Sequence, residues 1–130
     1  MAFEFPAPPS AKLLGWELEG LDLERGWIKV RFLARPEFLN PAGTVQGGLL
    51  GAMIDDTMGP LLFAMSKGQN VPSTTDLHIH FLKPVLQGPV TVEAEVTQMG
   101  KTIAFVEGRL YNAQGELAAR GVSSCRVKAL

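Results

Sequence analysis

GGLLGAMIDDTMGPLLFAM, residues 47–65, decides how the rest of the chain must fold. It runs too long without a turn signal for a strand. Apart from Asp55 and Asp56 it is apolar on every side, which reads as a helix buried inside a domain. The stretch approaches the roughly 20 residues of a membrane span, but two adjacent acids stand at its centre. Each costs about 2.5 to 3.5 kcal/mol in a bilayer, so a span is rejected. Upstream, Asn40 to Gln46 is a turn-rich loop. Downstream, Lys67 and Gly68 make a helix stop. Pro60 lies inside the helix and is expected to kink it.

Outward from that helix the pattern is β. Thr74 to Phe81 alternates, with Thr75, Leu77, Ile79 and Phe81 on one side and Thr74, Asp76, His78 and His80 on the other. Val90 to Thr97 alternates most cleanly and reads as a half-solvated strand. A turn at Met99 to Lys101, a strand over Thr102 to Tyr111, a turn at Asn112 to Gly115 and a last strand from Glu116 to about Val127 complete a meander. Before the helix, Trp16 to Asp22 and Gly26 to Ala34 read as a hairpin turning at Glu24 to Gly26, and Arg35 to Glu37 break it. Met1 to Ser10 reads as an irregular arm, with Ser10 capping a short turn through Leu14. The expected architecture is α+β, a single domain over residues 1–130 with one helix against one antiparallel sheet. Since every side of the helix is apolar, the sheet must curl around it or a second subunit must cover the remainder, which points to a homodimer.

Composition narrows the function classes. The 130 residues are 46% hydrophobic and 19% charged with a net charge of -1, so no global basic surface attracts nucleic acid. The first ten residues lack the charged start and apolar middle of a secretory signal, and the expected location is cytoplasmic. The single cysteine, Cys125, excludes an intramolecular disulfide.

Helical geometry separates Asp55 and Asp56 by about 100 degrees, so they serve different points in space. The Asp55 stripe carries Gly48, Gly51, Ala52, Gly59 and Leu62, whose small members leave room for a ligand. Leu49, Met53, Pro60 and Phe63 accompany Asp56. Asp55 is therefore the reacting candidate, and Asp56 the structural one, expected to hydrogen-bond a loop or the partner subunit. At the helix start, Gly47 and Gly48 would expose N–H groups at the positive end of the dipole, suited to an oxyanion or a phosphate. Asp55 lies about 12 Å further along. Gly100-Lys101-Thr102 is no phosphate-binding loop, since Glu95 stands where its first glycine belongs and the setting is a hairpin turn. Asp76, His78 and His80 share a face that could bind a metal, but no fourth ligand is evident. Cys125 has no histidine base in sight and reads as a buried thiol.

These residues resemble the hotdog-fold acyl-CoA thioesterases of the phenylacetic-acid-pathway type over roughly Phe38 to Val127. The resemblance is carried by Asn40-Pro-Ala-Gly-Thr-Val45 leading to Gly47-Gly48, by Ile54-Asp55-Asp56-Thr57, by Thr74 to Pro84, by Gly100-Lys101-Thr102 and by Asn112 to Leu117. It implies a long helix wrapped by an antiparallel sheet, paired into dimers and often tetramers, with two active sites at the dimer interface. It further implies Asp55 as the catalytic carboxylate, Gly47 as the N–H that polarises the thioester carbonyl, Asn40 as a loop residue orienting substrate or water, and Thr74 as a hydroxyl near the carboxylate. Because the family's chains pack antiparallel, Asp55 of one subunit would face Gly47 of the other. Many members carry His before the glycine pair. Gln46 stands here, able to donate a hydrogen bond but not to transfer a proton at neutral pH. Asp56 replaces a common Thr or Asn.

The expected reaction is hydrolysis of an acyl-CoA thioester, the substrate itself, with no metal or redox cofactor. Gln46, Gly48 and Asp56 are expected near the substrate, and the CoA phosphates are expected to meet Lys83, Lys101 or Arg126. A non-catalytic acyl-CoA-binding module and a hotdog dehydratase are the competing readings.

Overall fold

The computed structural model describes residues 3–127. Helix α1 (Pro9–Leu14) is followed by strands β1 (Glu17–Asp22) and β2 (Trp27–Ala34), a 3-10 turn (Pro36–Phe38), helix α2 (Gly47–Met65), and strands β3 (Ser73–Phe81), β4 (Gly88–Met99), β5 (Ile103–Tyr111) and β6 (Leu117–Arg126). The six strands form one sheet in the order β1-β2-β4-β5-β6-β3, and every pairing among the described residues is antiparallel. One helix against one antiparallel sheet, as the pattern predicts, is found, and it is the hotdog architecture that the resemblance implies. No helix among the described residues is long and apolar enough to cross a membrane.

The sheet lies close on α2 because one row across it is small at its centre, with Ala94, Gly108 and Gly121 flanked by isoleucines. Ile28, Ala94, Gly108, Gly121 and Ile79 are successive register partners across β2, β4, β5, β6 and β3. A Cβ on Gly108 would come within 3.0 Å of the Met58 methyl and 3.1 Å of Ile54, so helix and sheet meet there at minimum separation. Met53, Ile54, Met58 and Leu61 are fully buried against Val30, Val92, Val106 and Leu110. The Gly47, Gly48, Ala52, Asp55 and Gly59 side of the helix is not covered in this way.

Pro60 removes the N–H that would have bonded the Asp56 carbonyl one turn earlier. The Trp16 indole N–H replaces it, donating to Asp56 O at 2.8 Å, and α2 runs on unbroken to Met65. Trp16 thus lies outside the hairpin strand that its β propensity suggested, since β1 starts at Glu17. The helix stops through Lys67 (φ 57) and Gly68 (φ 80), with Gly68 N–H bonded to Phe63 O at 2.9 Å.

Two further expectations are corrected. Ser10 does not cap α1: Pro8 holds the cap position and Pro9 fills the first turn, where a missing N–H costs nothing. Thr74 does not share a face with Asp76, His78 and His80. The β3–β6 register shifts between Thr74 and Asp76, and Thr74 pairs with buried Cys125 whereas Asp76 pairs with Ser124. One extra residue, Thr75, turns Thr74 toward the helix.

Candidate active site

The bulge joins the two residues that matter most. Thr74 Oγ1 donates to Asp55 Oδ1 at 2.7 Å, a well-formed hydroxyl–carboxylate bond. That bond uses the hydroxyl's one proton, holds Asp55 in a fixed rotamer and leaves Oδ2 without a bond among the described residues. Behind Thr74, the Cys125 thiol is buried, 3.3 Å from Ser123 Oγ and 4.0 Å from Thr74 Oγ1, a packing position rather than a nucleophile's.

Asp55 sits at one end of an open groove of about 440 Å³, with Gly47 and Gly48 at the other and Gly51 and Ala52 between. Leu77, Ile79 and Phe81 of β3 form its far wall. Small residues keep the floor low: a Cβ on Gly51 would lie 3.1 Å from Ile79, and one on Gly47 3.2 Å from the Phe81 ring, so either would press on the far wall. The N–H groups of Gly47 and Gly48 have no partner among the described residues and point out of the helix start.

The loop before α2 is tied down by its own asparagine. Asn40 Oδ1 accepts from Ala42 N–H (3.0 Å) and Thr44 N–H (3.2 Å), and Nδ2 donates to Thr44 Oγ1 at 3.0 Å. Val45 N–H reaches Val85 O at 2.8 Å and Gln46 N–H reaches Phe38 O at 2.8 Å, fixing the direction in which Gly47 enters the helix. The Gln46 side chain is exposed and caps nothing.

Of the two partners expected for the Asp56 carboxylate, a loop or a second subunit, the loop is not found among the described residues. Only the Asp56 backbone carbonyl is engaged, by Trp16, and Oδ2 is buried with no hydrogen-bond partner among the described residues. Burial first, and the Asp55 charge second, push its pKa up to about 6. Lys83 is held by Glu116 at 2.7 Å, and that pair lowers the Glu116 pKa. Lys101 and Arg126 are exposed, Lys101 on the β4–β5 turn and Arg126 at the end of β6. On the outer face of β3, His78 and His80 pair Nε2 to Nε2 at 3.1 Å, and Asp76 Oδ1 is taken by the Ser124 N–H and hydroxyl, both at 2.9 Å. The bonds from Ser124 lower the Asp76 pKa.

The sequence reading put Trp16 in a strand and missed its bond to the helix. Its signal was present in Pro60, which obliges some other donor to meet the Asp56 carbonyl.

A wrapped helix, a carboxylate held by a strand hydroxyl and two unpartnered N–H groups at a helix start define a class rather than a substrate. A family profile described as the thioesterase superfamily matches residues 42–119. A phenylacetic acid degradation-related protein of Ralstonia eutropha JMP134 superposes with a TM-score of 0.90 and 36% identity, over 95% of this chain and 92% of that one. Acyl-coenzyme A thioesterase 13 of Homo sapiens is 33% identical over 87 residues, which are 65% of this chain and 61% of that protein. The BH2602 protein of Bacillus halodurans, in a crystal structure with CoA, superposes with a TM-score of 0.81 and 29% identity, over 92% of this chain and 78% of that one. The chain belongs to the thioesterase superfamily. It is a hotdog thioester hydrolase of the phenylacetic-acid-pathway type.

Proposed function

We propose that the protein hydrolyses an acyl-CoA thioester to a free carboxylic acid and CoA, acting as a cytoplasmic homodimer, or a tetramer of two such dimers, with two sites shared between chains. The observation that carries this reading is the 2.7 Å Thr74–Asp55 bond at the end of a groove that begins at unpartnered N–H groups. The acyl-CoA thioesterase name of the human relative and the CoA in the Bacillus structure support the choice of thioester.

Asp55 and Gly47 are eight residues apart, about 12 Å along one helix, too far to act on one carbonyl. A two-fold axis near Gly51 would bring Asp55 of one protomer opposite Gly47 of its partner. Edge strand β3 favours such pairing: it lies at the end of the sheet, and Phe81 is 54% exposed beside the groove. In the paired site Asp55 Oδ2 takes a proton from water as the water oxygen attacks the thioester carbon. The partner's Gly47 N–H holds the developing oxyanion, and collapse expels CoA as thiolate, which takes up the proton. Direct attack by Asp55, through an anhydride that water then opens, gives the same products. Thr74 fixes the carboxylate. Asn40 shapes the loop that aims Gly47, while Gln46 and Gly48 border the substrate. Lys101 and Arg126, exposed and without an ion pair among the described residues, are the candidates for the CoA phosphates, whereas the charge of Lys83 is already answered by Glu116. The chemistry calls on no metal or redox group.

The test is a thiol-release assay over a panel of acyl-CoAs. Turnover of at least one, lost in Asp55→Asn with the fold retained, is the expected result. Binding without CoA release would favour a non-catalytic module, and hydration of enoyl-CoA would favour a dehydratase.

A further inference from the structure

The Asp56 side of α2 carries a second cavity that the hydrolysis reading leaves unused. It has a volume of about 280 Å³ and lies between α2 and the N-terminal arm, with Phe5, Trp16, Pro60, Phe63 and Pro72 among its walls. Asp56 is the one charged residue lining it among the described residues. Its Oδ2 is buried and has no partner among the described residues, while the nearest indole N–H is already committed to the Asp56 carbonyl. The rim is braced by edge-on packing of Phe3 on Phe5 (4.9 Å) and on Phe63 (5.6 Å), and by Phe5 against Trp16 (5.1 Å). A carboxylate oxygen taken from water and given nothing in return is costly, and a donor arriving from outside the chain would remove that cost.

This cavity adjoins the reacting carboxylate. Gly59 lies one turn beyond Asp55, lines the cavity, and a Cβ built on it meets nothing within 4 Å. A chain leaving the thioester carbon at Asp55 can therefore run over Gly59, about 6 Å along the helix, and enter the cavity beside Asp56.

We propose that the cavity is the acyl subsite and that Asp56 selects acyl groups whose far end carries a hydrogen-bond donor, a hydroxyl or an ammonium. A methyl terminus would leave Oδ2 unsatisfied, and a carboxylate terminus would be repelled by Asp56. The upward displacement of the Asp56 pKa agrees with an acid that lacks a partner in the free protein. The inference rests on the acyl-CoA hydrolysis reading above.

The test compares kcat/KM of the full chain for 6-hydroxyhexanoyl-CoA, 6-aminohexanoyl-CoA and heptanoyl-CoA. The wild type is expected to favour a donor-terminated chain over heptanoyl by about tenfold or more, and the hydroxyl and ammonium arms identify the donor. Asp56→Leu should erase or invert the preference. Gly59→Leu, which leaves Asp56 intact and closes the path, should erase it as well. Equal handling of the three by the wild type, turnover of other acyl-CoAs but none of these, or a preference surviving in either variant would overturn the subsite. Failure to hydrolyse any acyl-CoA would instead defeat the hydrolysis reading on which it rests.

Discussion

Thr74→Val removes one oxygen and little else. Valine is isosteric, suits a strand and keeps the packing against Cys125, so the change isolates the 2.7 Å bond to Asp55. A hydrogen bond to a charged group contributes about 1.5 to 3 kcal/mol, and Thr74 is exposed in a single protomer, which favours the lower end. About 1.5 kcal/mol corresponds to roughly a tenfold loss. That loss should fall on kcat rather than KM, because the hydroxyl is spent on the carboxylate and not on the substrate. Steady-state thiol release with the best acyl-CoA of the panel measures both constants, and Thr74→Ser should recover most of the rate. A Thr74→Val enzyme within twofold of wild-type kcat, or one impaired in KM alone, would refute the positioning role.

Three further outcomes follow from packing and charge. Trp16→Phe leaves the Asp56 carbonyl without a donor and should cost about 1 to 2 kcal/mol in urea unfolding. In a Pro60→Ala background, where the helix supplies its own N–H, the cost should shrink, and equal costs in both backgrounds would contradict the substitution of one donor for another. Asp56 keeps its proton to about pH 6 when folded, whereas the unfolded chain releases it near the ordinary carboxylate value, so the folded state binds more protons in between and stability falls as pH rises through that window. Asp56→Asn should therefore stabilise above pH 6 by about 1 kcal/mol once solvent screening of a half-buried group is allowed for, with little gain below pH 4, and a gain independent of pH would contradict it. Gly121→Ala, whose Cβ would lie 2.9 Å from the His78 carbonyl oxygen, should destabilise by about 1 to 3 kcal/mol and by more than Gly108→Ala, which meets the flexible end of Met58; the reverse order in chemical denaturation would contradict it.

The fold was readable from period and punctuation. The apolar run without turn signals became α2 at the expected bounds, and the two-residue alternations became the meander strands to within a few residues. Alternation failed at Thr74 because a bulge adds one residue without altering composition, and polar Thr75 and Asp76 look the same in either register. The resemblance had set Thr74 beside the carboxylate while the alternation set it on the opposite face. The bulge resolves that conflict. The stripe of small residues correctly marked the open side of the helix, because a 3.6-residue period leaves few alternatives once the helix is accepted. The unpartnered state of Asp56 depends on which distant segments cover it, Trp16 and the arm at Phe5, and no local spacing carries that information.

A site shared between two chains makes one demand that no single-chain site makes. Asp55→Asn removes the carboxylate. Gly47→Pro removes the N–H at the first helical position, where proline is tolerated, and adds a Cβ 3.2 Å from the ring of exposed Phe81, which has to shift slightly; Gln46 before it already has the extended backbone (φ -57, ψ 131) that a following proline requires. Each variant alone should be inactive. Co-refolded in equal amounts, half of the dimers are mixed and each mixed dimer keeps one intact site, so about a quarter of wild-type thiol release should return. Mixtures that stay as inactive as the separate variants would contradict a site built from Asp55 of one protomer and Gly47 of its partner.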